Sequence, residues 1–443
     1  MKPKMLLLSL AFAGAPAFGA DLLQMYRDAL SYDAQYASAK SALEAGREKL
    51  PQGRAGLLPF ISGTANTTRN DVDFQQRVGG ASEVNAKYNS NGYQVSLTQP
   101  LFRWQNFMQY EQGKLQVTQA EAQFVQAKQD LALRVSQAYF DLLLAQESLA
   151  LASAQKKAIG EQLEQAKRNF EVGTATITDS NEAQARYDLT TAQEIAAEND
   201  LEIKRQALNQ VIGKVPDTLK GLRRDVQLQR PQPDDMSKWV LAAEDGNPQV
   251  AAQQAALEIA DREVGKQRAG HYPTLDVVAT RGRNNNTGSL AFGGLVPGSE
   301  STSTTVGLQL NLPIFAGGAT ASRDREAVAL REKARADLDN VRRSAAQSAR
   351  QAYLGATSGM SQVKAYEQAL ISSQSALDSN RLGYEVGVRI NIDVLNAQQQ
   401  LYSTRRDLAK AYFDTLLAQL RLKAAAGTLS EEDIQAINAL LVQ

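Results

Sequence analysis

The sequence predicts a mixed α and β membrane protein. Each chain supplies four strands to a trimeric, twelve-stranded transmembrane β-barrel, continuous with a long α-helical barrel, and each chain holds two internal structural repeats. Three observations predict this. The chain nearly repeats itself at an offset of about 214 residues: Phe170-Glu171-Val172-Gly173 returns as Tyr384-Glu385-Val386-Gly387, Ala138-Tyr139 as Ala352-Tyr353, and Gly213 as Gly427. A period this long is one duplicated architecture, not a short-repeat solenoid. Each half carries two segments that alternate apolar with small polar residues, and each pair is followed by a proline-free stretch far longer than a globular helix.

The elements follow in order. Lys2 and Lys4 precede an apolar run, Met5 to Ala13, and small residues near Gly19-Ala20, which reads as a secretory signal over residues 1–20. Repeat 1 (21–213) opens with a helical pattern from Asp21 to about Gln52, stopped at Leu57-Leu58-Pro59. A strand hairpin spans 58–102. Ile61, Gly63 and Ala65 share one face and Ser62, Thr64 and Asn66 the other, a polar loop covers about Arg69 to Asn91, and alternation resumes at Tyr93, Val95 and Leu97. A long helix over 104–171 and a return helix over 177–211 complete the repeat.

A segment with Pro216, Pro231 and Pro233 (214–235) connects the halves and is read as lying against the helices. Repeat 2 (236–427) copies the first: a helix to about Ala269, a hairpin over 272–315 with a loop from about Arg283 to Thr304, a long helix over 319–385 and a return helix over 390–426. Residues 428–443 are read as a short final helix lying with that connector. Strands of roughly 10–12 residues suffice to cross a bilayer when tilted, although a soluble two-sided sheet alternates in the same way. Each long helix would extend about 100 Å at 1.5 Å per residue, with Leu131, Val135, Ala138, Leu142 and Ala145 on its packing seam.

Composition removes several function classes. Lysine plus arginine equals aspartate plus glutamate at 48 each, so no net charge steers the chain toward nucleic acid. There is no cysteine, hence no disulfide, thiol chemistry or acyl-accepting cysteine, and the one histidine, His271, just before a strand, reads as a turn or interfacial residue. Nothing suggests an enzyme, a metal or a cofactor. No later segment is apolar enough to span a membrane as a helix, which leaves a closed barrel as the way across. Four strands cannot close one, since bacterial single-chain barrels start at eight. Two chains would bring eight strands and three would bring twelve; three also bring twelve helical rods, a matched count that points to a trimer, and cyclic closure removes sheet edges.

The chain resembles the TolC family of outer-membrane channel-tunnels. The residues that carry the resemblance are Gly383-Tyr384-Glu385-Val386-Gly387-Val388-Arg389 with Ile392-Asp393-Val394-Leu395, the copy Val172-Gly173 with Ile177-Thr178-Asp179, the strand entry His271-Tyr272-Pro273-Thr274, the strand exit Leu312-Pro313-Ile314-Phe315, and Ala426-Gly427-Thr428-Leu429. It covers essentially the whole mature chain. It implies an outer-membrane location with a periplasmic extension and a homotrimer in outer-membrane lipid. It also implies partnership with a periplasmic adaptor (membrane fusion) protein and an inner-membrane ABC, RND or MFS transporter, and a cargo of drugs, exported proteins or both. A periplasmic coiled-coil adaptor or scaffold without a pore is the alternative, although such proteins lack four amphipathic strands of membrane-spanning length.

The resemblance also implies site roles. Thr178, Asp179, Tyr384 and Arg389 map to a gate network closing the periplasmic end, and Gly173 and Gly387 mark the helix-tip turns where an adaptor docks. The same residues also fit ordinary turn and cap roles; Asp179 could satisfy local backbone donors. Asp393 would form a ring of three carboxylates at the constriction, favouring cations. Asn396 stands one helical turn on, where a second aspartate would complete a double ring, so weaker cation selectivity is expected. Phe102, Trp104 and Phe315 lie at strand ends and fit either an aromatic girdle or packing at the strand–helix junction.

Overall fold

The computed structural model describes residues 20–75, 83–214, 218–223, 226–291 and 294–442. The expected signal segment lies outside these except for Ala20. Ten α-helices and four strands follow one another among the described residues: α1 (Leu22–Tyr32), α2 (Ala34–Arg47), α3 (Lys49–Ala55), β1 (Phe60–Gln75), β2 (Glu83–Phe102), α4 (Trp104–Glu171), α5 (Ile177–Ile212), α6 (Met236–Gly246), α7 (Pro248–Arg268), β3 (Thr274–Ala291), β4 (Gly294–Asn311), α8 (Ala319–Glu385), α9 (Asn391–Ala425) and α10 (Glu431–Asn438). Hairpin, long helix and return helix therefore occur twice in the same order, at 68 and 36 residues for α4 and α5 against 67 and 35 for α8 and α9.

Two compact units divide the chain, and α4 and α8 contribute to both. One unit, Lys40–Phe124 with Pro248–Arg342, contains the strands. They form one antiparallel sheet in the order β1-β2-β3-β4. Register places Ile61 opposite Leu97, Leu97 opposite Ala279 and Ala279 opposite Val306, so one face carries an apolar row. The next row, Ser62, Ser96, Thr280 and Thr305, is on the other face, joined by the Ser62–Ser96 hydroxyl pair at 2.7 Å and a Thr280–Thr305 hydroxyl pair. On the apolar face Val306, Leu308 and Leu310 are exposed over 68–75% of their surface. At the end of β2, Arg103 makes a forked pair with Asp276 of β3, at 2.8 and 2.6 Å. Helix α3 meets α4 closely at Gly113, where a Cβ would come within 2.7 Å of the Lys49 carbonyl oxygen.

The other unit comprises residues up to Ala39, Val125–Asn247 and residues from Arg343 on. Its main core gathers α1, the middle of α4, the ends of α5 and α9, and α10 around Tyr26, Val135, Phe140, Leu208, Leu416 and Ile434, all at most 1% exposed. Of the expected α4 seam, Leu131, Val135, Leu142 and Ala145 are buried, with Ala138 packed beside them. Phe140 stacks on Phe413 with centroids 5.4 Å apart. The connector after α5 packs here too: the Tyr139 hydroxyl donates to the Lys220 carbonyl at 2.6 Å, Gln419 donates to the Gln229 carbonyl, and Leu222 bridges Leu441. We call this core the belt. Asp33 caps α2 through the Tyr36 amide and takes a forked pair from Arg134, at 2.8 and 2.9 Å. That guanidinium holds the Asp33 carboxyl below its ordinary range.

Three expectations need correction. The opening helical pattern is three helices, because Asp33 takes an extended conformation to cap α2 and Glu48 interrupts the next turn. The helix expected over about 236–269 breaks at Asn247, since a following proline drives its predecessor out of the helical region, here to ψ 128°. The strands are 16–20 residues long, not 10–12. Much of the sequence read as polar loop pairs as ladder: Asn70 faces Tyr88 and Asn284 faces Ser301. Backbone pairing does not depend on side-chain polarity, so the ladder runs on past the apolar band. His271 closes a 3₁₀ turn before β3 and is exposed. Phe102, Trp104 and Phe315 are exposed by 44, 39 and 88%, and Trp104 also tilts against Phe107 at 5.1 Å.

Candidate functional site

The two helix tips, between α4 and α5 and between α8 and α9, are built by the same backbone device. Gly173 and Gly387 adopt φ of 78° and 83°, the left-handed conformation that glycine reaches without a Cβ clash. The hydrogen bonds match residue for residue. The Gly173 amide donates to the Phe170 carbonyl and the Thr174 and Ala175 amides to that of Asn169; the Gly387 amide donates to Tyr384 and the Val388 and Arg389 amides to Gly383. Around these turns Val172, Val386 and Val388 are exposed by 72, 64 and 77%.

The following helix starts differ. Thr176 caps α5 with a reciprocal capping box: its hydroxyl accepts from the Asp179 amide, while the Asp179 Oδ2 accepts from the Thr176 amide at 3.0 Å and hydroxyl at 2.8 Å. The equivalent cap of α9 is Ile390, which has no side-chain acceptor. Asp393 stands where Asp179 stands in the first tip, and its carboxylate lies 3.6 Å from Arg389 instead. Thr178 is exposed beside the capping box. Tyr384 accepts a hydrogen bond from Asn169 at 3.3 Å, tying the α8 end to the α4 end. Within one chain, then, Tyr384 pairs with Asn169 and Arg389 with Asp393, while Asp179 is engaged in its own cap.

Several contacts here were not read from the sequence. Buried Asn391 accepts from Gln162 of α4 at 2.6 Å and donates to the Asp179 carbonyl at 3.4 Å, so α9 is joined to both α4 and α5. Arg186 of α5 donates to Asn396 at 2.8 Å and Gln399 at 2.7 Å. The available signal was mismatch between the copies: Thr176 and Ile177 correspond to Ile390 and Asn391, apolar and polar residues exchanged. Beneath the tips the apolar seams are small, Ile159, Leu163, Ala166, Ala183 and Leu395 on one side and Leu377, Val394 and Leu401 on the other. Among the described residues no group of histidine and carboxylate side chains could hold a metal ion, and no helix is long and apolar enough to cross a membrane.

The sequence pattern of the outer membrane efflux proteins matches this chain twice, over residues 25–214 and 239–428. The chain is 34% identical over 436 residues to the alkaline protease secretion protein AprF of Pseudomonas aeruginosa, covering 96% of this chain and 88% of that one. It is 30% identical over 419 residues to the outer membrane protein TolC of Vibrio cholerae, covering 95% and 93%. In fold it is similar to the CmeC outer membrane channel of Campylobacter jejuni, with a TM-score of 0.77, 18% identity and coverage of 96% and 90%. A sheet with one exposed apolar face, long proline-free helices and glycine-turned tips, matched over both halves, place it plainly: the chain belongs to the outer membrane efflux protein family, the TolC-type channels of the outer membrane.

Proposed function

We propose that this chain is the outer-membrane exit duct of a tripartite export system, conducting cargo passively from an inner-membrane transporter and a periplasmic adaptor to the exterior. The observation that carries this is the sheet. Its apolar row, Ile61-Leu97-Ala279-Val306, is suited to lipid, and its hydroxyl row, Ser62-Ser96-Thr280-Thr305, is suited to a water-filled lumen. The sheet has four strands and two open edges, β1 and β4. A homotrimer would pair these edges in turn and close twelve strands, and the doubled element order would give two repeats per chain and twelve helical rods. A pore-free scaffold has no use for that exposed apolar face. The relationship to AprF, named for alkaline protease secretion, favours exported proteins among the cargo, alongside drugs. An ABC transporter, or one of the RND or MFS type, would supply the energy.

The tips are the gate and the adaptor-docking end in this reading. Tyr384, Arg389, Thr178 and Asp179 close the periplasmic mouth through weak polar contacts across neighbouring helices. Asp393 and Asn396 line the constriction just inside, and the turns at Gly173 and Gly387 present their exposed valines to the adaptor. An exposed ion pair contributes roughly 0–1 kcal/mol, so a threefold set biases closure yet yields to a partner. The test is single-channel conductance in a planar bilayer for wild type beside Tyr384→Phe/Arg389→Ser. A small wild-type conductance that rises in the double variant supports the gated duct. Absence of any pore from folded protein rejects the duct, and a fully open wild type rejects the gate.

A further inference from the structure

The start of α9 carries a polar stripe at helical spacing, Asp393, Asn396 and Gln399, and Arg389 stands in the turn just before the helix. One acidic side chain is on it, and that carboxylate is already 3.6 Å from the Arg389 guanidinium. A second guanidinium reaches the stripe from α5. Arg186 donates through Nη2 to Asn396 and through Nη1 to Gln399, at 2.8 and 2.7 Å. Both acceptors are neutral amides. An amide orients a guanidinium without cancelling its charge, whereas a carboxylate at 396 would both orient and neutralise it. Each chain therefore presents two positive groups and one negative one along the stripe. Asn396 and Gln399 are exposed, so this charge lies at the surface rather than within the protein.

We infer that Arg186 sets the ion selectivity of the constriction, turning a site with a carboxylate ring toward anions and against block by multivalent cations. The inference rests on the proposed duct with Asp393 and Asn396 at its narrow end. In a homotrimer three Asp393 carboxylates face three Arg389 and three Arg186 guanidiniums. A ring of fixed charge of one sign selects mobile ions of the other sign. The surplus here is positive, and Arg186 is its source, because Arg389 and Asp393 offset one another. The passing species favoured are small anions and acidic segments of an extended polypeptide.

The experiment is the reversal potential of the full-length protein in a planar bilayer under a potassium chloride gradient, with hexaamminecobalt(III) added on the periplasmic side. Wild type, Arg186→Gln, Arg186→Lys and Asp393→Asn are compared. The expected result is that Arg186→Gln raises the potassium-to-chloride permeability ratio about twofold or more and renders the pore sensitive to the trivalent cation. Arg186→Lys keeps the wild-type ratio, since it keeps the charge, and Asp393→Asn moves the ratio the other way. If Asp393→Asn shifts the ratio and Arg186→Gln does not, Arg186 is outside the ion path and the inference fails while the constriction stands. If Arg186→Gln and Arg186→Lys shift it equally, the forked contact matters and the charge does not, which also overturns it. If no variant shifts it, the constriction assignment itself is wrong.

Discussion

The belt and the helix tips belong to the same unit and are held by different means. In the belt, bulky apolar side chains from five helices interlock, Phe140 stacks on Phe413, and Tyr139 and Asp33 are held by Lys220 and Arg134. At the tips the apolar seams are small, and apart from the buried Gln162–Asn391 amide pair the remaining links are exposed or half-buried polar contacts, such as Asn169–Tyr384 at 3.3 Å and Arg389–Asp393 at 3.6 Å. Burial is non-directional and collectively large, while an exposed polar pair nets little against solvent. The same helices are therefore firmly fixed in the middle and weakly fixed at their ends. That is the distribution expected of a rod whose ends move and whose middle does not.

The comparison can be broken in the belt first. Phe140→Ala removes a side chain that is 1% exposed, and a loss of about 3–5 kcal/mol is expected, read as faster hydrogen exchange throughout the belt helices. The same truncation at Phe170, 44% exposed near a tip, should leave belt exchange unchanged. Equal effects would show that the two regions are one cooperative block.

Next is the Arg134–Asp33 pair. Arg134→Ala should cost about 2 kcal/mol at neutral pH, because it strips a nearly buried carboxylate of two charge-assisted hydrogen bonds. The sign of the pH dependence follows from the lowered folded-state value of Asp33. The pair stabilises fully above the ordinary aspartate range, and that stabilisation disappears as pH falls through the lower folded value. Acid unfolding should therefore begin at a higher pH in Asp33→Asn or Arg134→Ala than the pair itself would allow. An unchanged acid limb would remove the pair from the account.

At the tips the effects are smaller and sharpen the contrast between the two turns. Gly173→Ala and Gly387→Ala should each cost about 1–2 kcal/mol. The cost is pure backbone strain, since a Cβ at either site meets nothing within 4 Å. Matched losses of protection at the amides of Thr174 and Val388 would confirm that the turns are one device used twice. The smallest effect separates them. Thr176→Ala should cost about 1 kcal/mol at the start of α5, whereas Ile390→Ala, with no cap to lose, should be near neutral. Ile390→Thr should create a cap, draw Asp393 away from Arg389 and slow exchange at the Asp393 amide. If it does not, the difference between the two carboxylates has another origin.

Most of the architecture was legible because its signals are local. Glycine marks both tips through a conformation that other residues resist, proline marks the break before α7 once Asn247-Pro248 is noticed, and the absence of proline marks α4 and α8. The ends of the strands were not legible. Asn, Ser and Thr serve a loop and a solvated ladder equally well, and nothing within β1 or β4 says where pairing stops. At the site, the turn glycines and the identities of the polar residues were readable, while their partners were not. Asp179 fitted either a gate or a local cap by sequence, and within the chain it forms the capping box; Arg186, which no local pattern marks, reaches the stripe on α9.

By itself the sequence determined the element order, its doubling, the alternating strand faces and the left-handed turns, because each depends on residues within a few positions of one another. Only the tertiary structure decided which polar groups meet: Arg186 with Asn396, 210 residues away, and Gln162 with Asn391, 229 away. Such a pairing depends on the rotational phase of two long helices, and a slip of one residue turns a side chain by about 100°. That phase is set jointly by all the packing along the rods, so no local stretch of sequence contains it.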